Sequence, residues 1–137
     1  MTPNYLEFHF PGLDNVRCVF TTRDGGCSTG AFDSANMSLD VGDDAGAVRA
    51  NREALRTALG IGAWQELRQV HGQEIHAELE GDFFDGTEAE GDGLSTSKPG
   101  HALVVKTADC QALLLADMDG RPVAALPCGG RGHAGHF

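Results

Sequence analysis

Three side chains in this sequence carry groups that enzymes use directly: a thiol, an imidazole and a carboxylate. Cys110 and Asp109 are adjacent in the stretch TADCQALLLA, residues 107–116, between two apolar runs. His71 lies in QVHG, residues 69–72, at the end of a strand-like pattern. Zinc prefers imidazole and thiolate ligands, and a cysteine hydrolase uses the same pair as base and nucleophile. These residues alone leave Cys110 as a metal ligand, a nucleophile or a small buried hydrophobic residue.

Asp109 and the glycine-rich stretch TTRDGGCSTG, residues 21–30, add two further features. A position at the edge of the core would allow the Asp109 carboxyl to act as a general acid or base. The alternative is that Asp109 only caps a turn. The stretch 21–30 combines hydroxyls, Arg23 and backbone N–H groups that could hold an anion. An ordinary glycine-rich turn is the alternative for this stretch.

Strands and turns must position these groups. Apolar and β-branched runs bounded by turn residues predict five strands, of which 101–107 and 111–117 are expected to be buried. The five predicted strands are 16–23, 67–72, 101–107, 111–117 and 121–126. DMDG, residues 117–120, predicts a hairpin turn. The acidic stretch 79–92 predicts an exposed loop, and 127–137 predicts a poorly ordered tail.

The clearest helix is predicted over DDAGAVRANREALRTALG, residues 43–60. An aspartate can cap its start, and Gly60 can end it in the left-handed conformation. Asn51 and Arg52 lie on or beside the apolar stripe of this helix. The pattern favours solvated positions at the edge of the stripe, because polar side chains that face a core need partners.

Composition limits the classes of function. The chain has 137 residues, 41% hydrophobic and 22% charged, which fits one globular domain. Its net charge of −10 disfavours a nucleic-acid partner, and no apolar run is long enough to span a membrane. The N-terminus lacks a signal-peptide pattern, so we expect a cytoplasmic protein with free thiols. The cysteines form no CxxC pair that would indicate a four-cysteine zinc site.

Six motifs, taken together and in order, resemble one protein family. They are FTTRDGG-S-G at 20–30, SANMSLDVGDD at 34–44, V-ANR--L at 48–55, QVHG at 69–72, D-L-T from Asp92 and TADC at 107–110. This is the YfiH-type family, first described as multicopper polyphenol oxidases (laccases) and later as purine nucleoside phosphorylases with adenosine deaminase activity. The order and spacing of the motifs agree over residues 18–126.

The resemblance implies a fold and a metal site. The implied fold is α+β, a single domain over residues 1–137 of mixed β-sheets flanked by helices, truncated at its C-terminus. The implied site holds one zinc ion on two histidines and one cysteine, with copper as the alternative metal. On this sequence the matching ligands are His71 and Cys110.

The resemblance also implies substrates and residue roles. Phosphate replaces the base of adenosine, inosine, guanosine or methylthioadenosine, and water replaces the amino group of adenosine in deamination. The partners are therefore small molecules, a purine nucleoside and phosphate. Placed on the matched motifs, this chemistry makes Arg23 and Asp109 the candidate catalytic residues, Arg23 for phosphate contact and Asp109 for proton transfer. Asn51 and Arg131 are candidate substrate-binding residues alongside Arg23.

The third metal ligand departs from the family pattern. The family motif HAGWRG corresponds here to PCGGRG, residues 127–132, so Pro127 occupies the place of the histidine. Proline cannot bind zinc, which leaves Cys128, His133 and His136 as substitutes. We expect the ligand to be lost or poorly replaced. The sequence also stops soon after this motif, as we would expect of a fragment, a frameshift product or a truncated gene.

Three other functions stay open. Copper-dependent polyphenol oxidation is one, although a multicopper laccase needs more histidines than the six present. A cysteine hydrolase would use Cys110 as nucleophile and His71 as base. A non-catalytic remnant is favoured by Pro127.

Overall fold

The computed structural model describes residues 2–107 and 111–128. Over these ranges it is a mixed α+β structure with one α-helix and several small sheets, as predicted. The elements in chain order are β1 Tyr5–Phe8, β2 Cys18–Thr21, α1 Ala45–Leu59, β3 Ala63–Gln65, β4 Ile75–Ala77, β5 Gly93–Thr96, β6 His101–Leu103, β7 Gln111–Ala116 and β8 Val123–Cys128, with a short 3₁₀ turn at Gly30–Phe32. No helix in the described ranges is long and apolar enough to cross a membrane. The chain forms two compact units, residues 1–61 and 62–137.

The first unit contains an antiparallel ribbon of β1 and β2 together with α1. The prediction for α1 is confirmed at both ends. The Asp44 side chain accepts a hydrogen bond from the Ala47 N–H at 2.9 Å, and Gly60 ends the helix with φ of 68°. Because these caps are local, the sequence alone was sufficient to place them.

The prediction that Asn51 and Arg52 lie in solvent is wrong. Asn51 is 2% exposed and Arg52 is fully buried, beside the apolar residue Val48 of the same helix. The Arg52 Nε donates to the Met37 carbonyl at 2.8 Å, because the loop that precedes α1 covers this side of the helix. The two polar side chains therefore supply hydrogen bonds that the covering loop needs.

The second unit contains two sheets. β3 and β6 pair in parallel, and a four-stranded sheet has the order β4-β5-β8-β7. The β7–β8 hairpin is confirmed, with the Gly120 N–H donating to the Asp117 carbonyl at 2.9 Å in its turn. The core of this unit includes Trp64, which contacts Phe84 edge-to-face at a centroid distance of 5.6 Å. It also contains the buried polar residues Gln65, Glu66, Asp92 and Thr96.

Residues 67–72 and 79–92 differ from their predictions. Residues 67–72 form a single bridge from Arg68 to Glu90 instead of a strand. The stretch 79–92 ends at Asp92, which is 2% exposed rather than solvated. Both differences have one cause, since the Asp92 carboxylate takes the N–H groups that a strand would have used.

The C-terminal strands also differ in detail. β8 extends to Cys128, so the first two residues of the predicted disordered tail are strand, and the rest of that tail lies outside the described residues. β7 was expected to be buried, yet Leu113 is 41% exposed and Leu115 is 48% exposed. β7 is the last strand of its sheet among the described elements, and every second side chain points to a face that the described residues leave open.

Two leucines on adjacent strands of this sheet give a test of the packing. Leu126 is 4% exposed and Leu115 is 48% exposed. We expect Leu126→Ala to lower the free energy of unfolding by about 2–5 kcal/mol, because it leaves a cavity in the core. The control Leu115→Ala should cost about 1 kcal/mol or less. Urea denaturation measures both, and equal losses would contradict the described burial.

Candidate functional site

His71 lies in a turn, as expected for the end of the stretch 67–72, although the strand predicted before it does not form. The histidine turn, residues 69–72, places His71 at φ of 57°, in the left-handed region. Its imidazole is exposed to solvent. A left-handed conformation costs a non-glycine residue about 1–2 kcal/mol, so other interactions must hold this backbone in place.

The carboxylate of Asp92 holds the histidine turn. Its Oδ1 accepts the N–H groups of Val70 at 3.1 Å and His71 at 3.0 Å, and its Oδ2 accepts the Gly72 N–H at 2.8 Å. Hydrogen bonds to a charged group contribute about 1.5–3 kcal/mol each, which exceeds the cost of the left-handed residue. The Asp92 N–H in turn donates to the Glu74 carbonyl at 2.9 Å. The exposed imidazole of His71 therefore extends from a backbone that these hydrogen bonds hold in place.

A second contact ties the histidine turn to the segment that precedes TADC. The Gln69 Oε1 accepts the Lys106 N–H at 2.7 Å, and the Gln69 Nε2 donates to the Lys106 carbonyl at 2.8 Å. Lys106 is itself anchored, because its Nζ donates to the buried Glu66 at 3.0 Å. Glu66 also accepts the Trp64 indole N–H at 2.7 Å. Gln69 therefore acts as a side-chain substitute for a β-ladder pair.

Arg23, the candidate phosphate contact, is exposed but fixed in the first unit. Its Nε and Nη2 donate to the Asp33 carbonyl at 3.1 and 3.0 Å. Its own carbonyl accepts the N–H groups of Ser34 and Ala35, both at 2.8 Å. The guanidinium has five N–H donors, so these two bonds leave others that can face an anion.

Asn51 makes four hydrogen bonds within the same loop. Its Oδ1 accepts the Cys27 N–H at 2.8 Å, and its Nδ2 donates to Ser28 Oγ at 3.0 Å. The same Nδ2 donates to the carbonyls of Asn36 at 2.9 Å and Ser34 at 3.3 Å. Asn51, on α1, hydrogen-bonds the backbone of the same loop that Arg23 contacts through Asp33. The Arg23 guanidinium lies exposed on this loop.

Three backbone amides of the glycine-rich stretch are already hydrogen-bonded within the first unit. The N–H groups of Gly26, Cys27 and Ser28 all donate to side chains or carbonyls of this unit. A side chain at Gly26 would clash with the Ser34 carbonyl, so the two strands of the loop can approach this closely only with glycine there. These three amides already have partners within the loop, so an anion bound by the stretch 21–30 would have to be held by its other groups, such as the Arg23 guanidinium.

Asp43 completes the polar network of the first unit. Its Oδ2 accepts the Ser28 hydroxyl at 2.6 Å and the Asn36 amide at 3.2 Å. The hydrogen bond from Ser28 is the largest of the effects that lower the pKa of the Asp43 carboxyl from its ordinary value. The network therefore depends on an ionised Asp43.

The remaining predicted residues fall in two groups. Pro127 is buried in β8 opposite Ala112, and Cys128 is a half-buried free thiol opposite Gln111, the residue after Cys110 in sequence. The predicted residues Asp109, Cys110, Arg131, His133 and His136 lie outside the described residues. Among the residues that are described, no group of three or more His, Cys, Asp or Glu side chains forms a metal site.

Sequence analysis assigned no role to Asp92 or Gln69. Asp92 was part of a family motif, and a lone acid before the strand-like GLST was the available signal. Gln69 stands beside His71 in QVHG without any pattern that predicts its partner. Both side chains hydrogen-bond to the backbone of segments that are distant in sequence. The spacing of apolar residues along the chain does not predict such contacts.

The comparisons with known proteins agree with the motifs. A sequence model of the multi-copper polyphenol oxidoreductase laccase family matches residues 17–137, and the chain belongs to this family. A relative from Deinococcus radiodurans, named purine nucleoside phosphorylase, is 40% identical over 137 aligned positions that cover 93% of this chain and 51% of the relative. The chain spans about half the length of the curated relatives it matches.

Solved structures show the same fold. A Neisseria meningitidis protein superposes with a TM-score of 0.84 and 35% identity, over 96% of this chain and 53% of that one. YlmD from Geobacillus stearothermophilus gives a TM-score of 0.82 and 34% identity, over 96% and 52% of the two chains. The mixed α+β structure is therefore that of the YfiH type.

The Ser28–Asp43 contact predicts a pH dependence of stability. Because the pKa of Asp43 is lowered in the folded state, the contact stabilises the fold above the ordinary aspartate pKa of about 3.9 and is lost as pH falls through the folded value. The stability gap between wild type and Ser28→Ala should be larger at pH 7 than at pH 3. Urea titrations at both pH values measure it, with exposed Thr29→Ala as control. A gap that does not change with pH would contradict the assignment.

Proposed function

We propose that the chain takes part in the phosphorolysis of purine nucleosides, as a zinc-dependent purine nucleoside phosphorylase. The observation that carries the proposal is the match to a relative of that name, 40% identical, together with the histidine turn formed by QVHG, residues 69–72. In this reaction an oxygen of inorganic phosphate bonds to C1′ of the ribose while the C1′–N9 bond breaks. The purine leaves with the bonding electrons and takes up a proton.

The two candidate catalytic residues would divide this chemistry. Arg23 would bind the phosphate through the guanidinium N–H groups that the Asp33 carbonyl does not use, because arginine recognises phosphate by planar hydrogen bonds. Asp109 would deliver the proton to the leaving purine. Arg131 is a further proposed substrate contact, and Asn51 would act through the loop that it holds.

The proposed metal ligands are His71 and Cys110. Their chemistry fits zinc, since an exposed imidazole on a fixed turn and a thiolate are ligands that zinc prefers. Pro127 supplies no ligand from β8, and Cys128, opposite Gln111, is the substitute that the described residues offer. Bound zinc would polarise the substrate or lower the pKa of a water molecule. Deamination of adenosine, in which water replaces the amino group and ammonia leaves, is proposed as a second activity.

Copper-dependent polyphenol oxidation is the competing function, favoured by the family description. A histidine and a cysteine also suit copper. We expect the copper-loaded chain to show neither strong blue absorption nor turnover of a phenol. Turnover that depends on His71 would instead support the oxidase.

Phosphorolysis of inosine tests the proposed function. With zinc and phosphate the folded chain should release hypoxanthine, and Arg23→Ala should raise KM for phosphate about 10–100-fold, the equivalent of a lost charge-assisted hydrogen bond. Arg23→Lys should recover part of the loss, since it keeps the charge but not the fork of donors. Exposed Arg121→Ala is the matched control. A folded, zinc-loaded chain that releases no hypoxanthine and no ammonia from adenosine would sink the proposal in favour of a non-catalytic remnant.

A further inference from the structure

Two side chains, those of Asp92 and Gln69, tie the histidine turn to other segments without contributing a ligand of their own. Asp92 directly precedes β5, whose Leu94 is 1% exposed, so its carboxylate is attached to a core strand. Gln69 contacts Lys106, which follows β6 and is anchored to buried Glu66. The turn is thereby fixed to two segments far from it in sequence.

Three successive N–H groups, of residues 70–72, converge on the Asp92 carboxylate. Such a concave run of amides is an anion-binding arrangement, and here the protein fills it with its own buried carboxylate. Because the amides are occupied, the turn presents the His71 imidazole rather than its backbone to an incoming ligand. Because the His71 backbone is left-handed, its side chain leaves the chain in a different direction from that of a residue in a strand.

The geometry points to Asp92 as the positioning residue for His71, with Gln69 as the residue that sets the histidine turn relative to the segment leading to Cys110. We propose that these two residues preform one half of the metal site before any ion binds. The inference rests on the proposed metal site and deepens it. Lys106 precedes Cys110 by four positions, so the Gln69 clamp acts on the chain just before the proposed second ligand.

Zinc affinity of Asp92→Asn tests the role of Asp92. The variant keeps the shape of the side chain but replaces an acceptor oxygen by an NH₂ group that faces backbone N–H donors. We expect zinc affinity, measured by competition with a chelator, to fall about 10–100-fold, as for other groups that orient a ligand. Asp82→Asn is the matched control, because Asp82 also accepts a backbone N–H, that of Trp64 at 2.9 Å, which lies outside the histidine turn. Unchanged affinity in a folded Asp92→Asn would overturn the proposal.

Gln69 has a matched control in exposed Gln73, four positions along the chain. Gln69→Leu should weaken zinc binding while Gln73→Leu does not, because only Gln69 bridges to Lys106. Equal effects of the two substitutions would remove Gln69 from the proposal.

Hydrogen exchange of the metal-free wild-type chain separates this inference from the proposed function. The amides of residues 70–72 should be protected and should lose protection in Asp92→Asn. This result would uphold the preformed turn even if the chain binds no zinc and splits no nucleoside. Amides 70–72 that exchange as freely as a solvated loop in the wild type would overturn it, whether or not Asp92→Asn folds.

Discussion

A buried carboxylate that must be satisfied controls the geometry around the proposed metal ligand. Asp92 is 2% exposed and finds its partners in three backbone N–H groups of the histidine turn. Without these partners the buried carboxylate would be left unsatisfied, and an unsatisfied buried charge costs more than the roughly 1–3 kcal/mol of a neutral group. Satisfying it fixes the backbone under an exposed imidazole.

The first unit uses the same physical solution. Asn51 is buried on α1 because the loop before the helix needs donors and an acceptor that its own backbone lacks. Ser28 and Asp43 extend this network, and Arg23 is left at its surface with part of its guanidinium committed to Asp33. In both units a polar core side chain shapes a loop, and the loop displays the candidate functional group.

Local signals explain what the sequence could predict. The caps of α1 lie within four residues of the groups they bind, and the β7–β8 turn closes on itself between Asp117 and Gly120. The histidine turn depends instead on an acid 21 positions beyond His71, and the burial of Asn51 depends on an amide 24 positions before it. A strand-like pattern at 67–72 therefore predicted the wrong backbone, because the decisive partner was distant. The family motifs supplied His71, Cys110 and Arg23 as candidates, but not the contacts that hold them.

Pro127 defines the difference between this chain and the family pattern. It is integrated in β8 opposite Ala112, so the strand forms with proline at the position of the expected histidine. We expect the His71 half of the proposed site to survive this change and to bind zinc together with Cys110. Metal content of the purified chain, compared with His71→Ala and Cys110→Ala, tests this expectation most directly. The expected result is a single zinc ion per chain that both substitutions remove. Wild-type chain without zinc, or zinc that both variants retain, would contradict it.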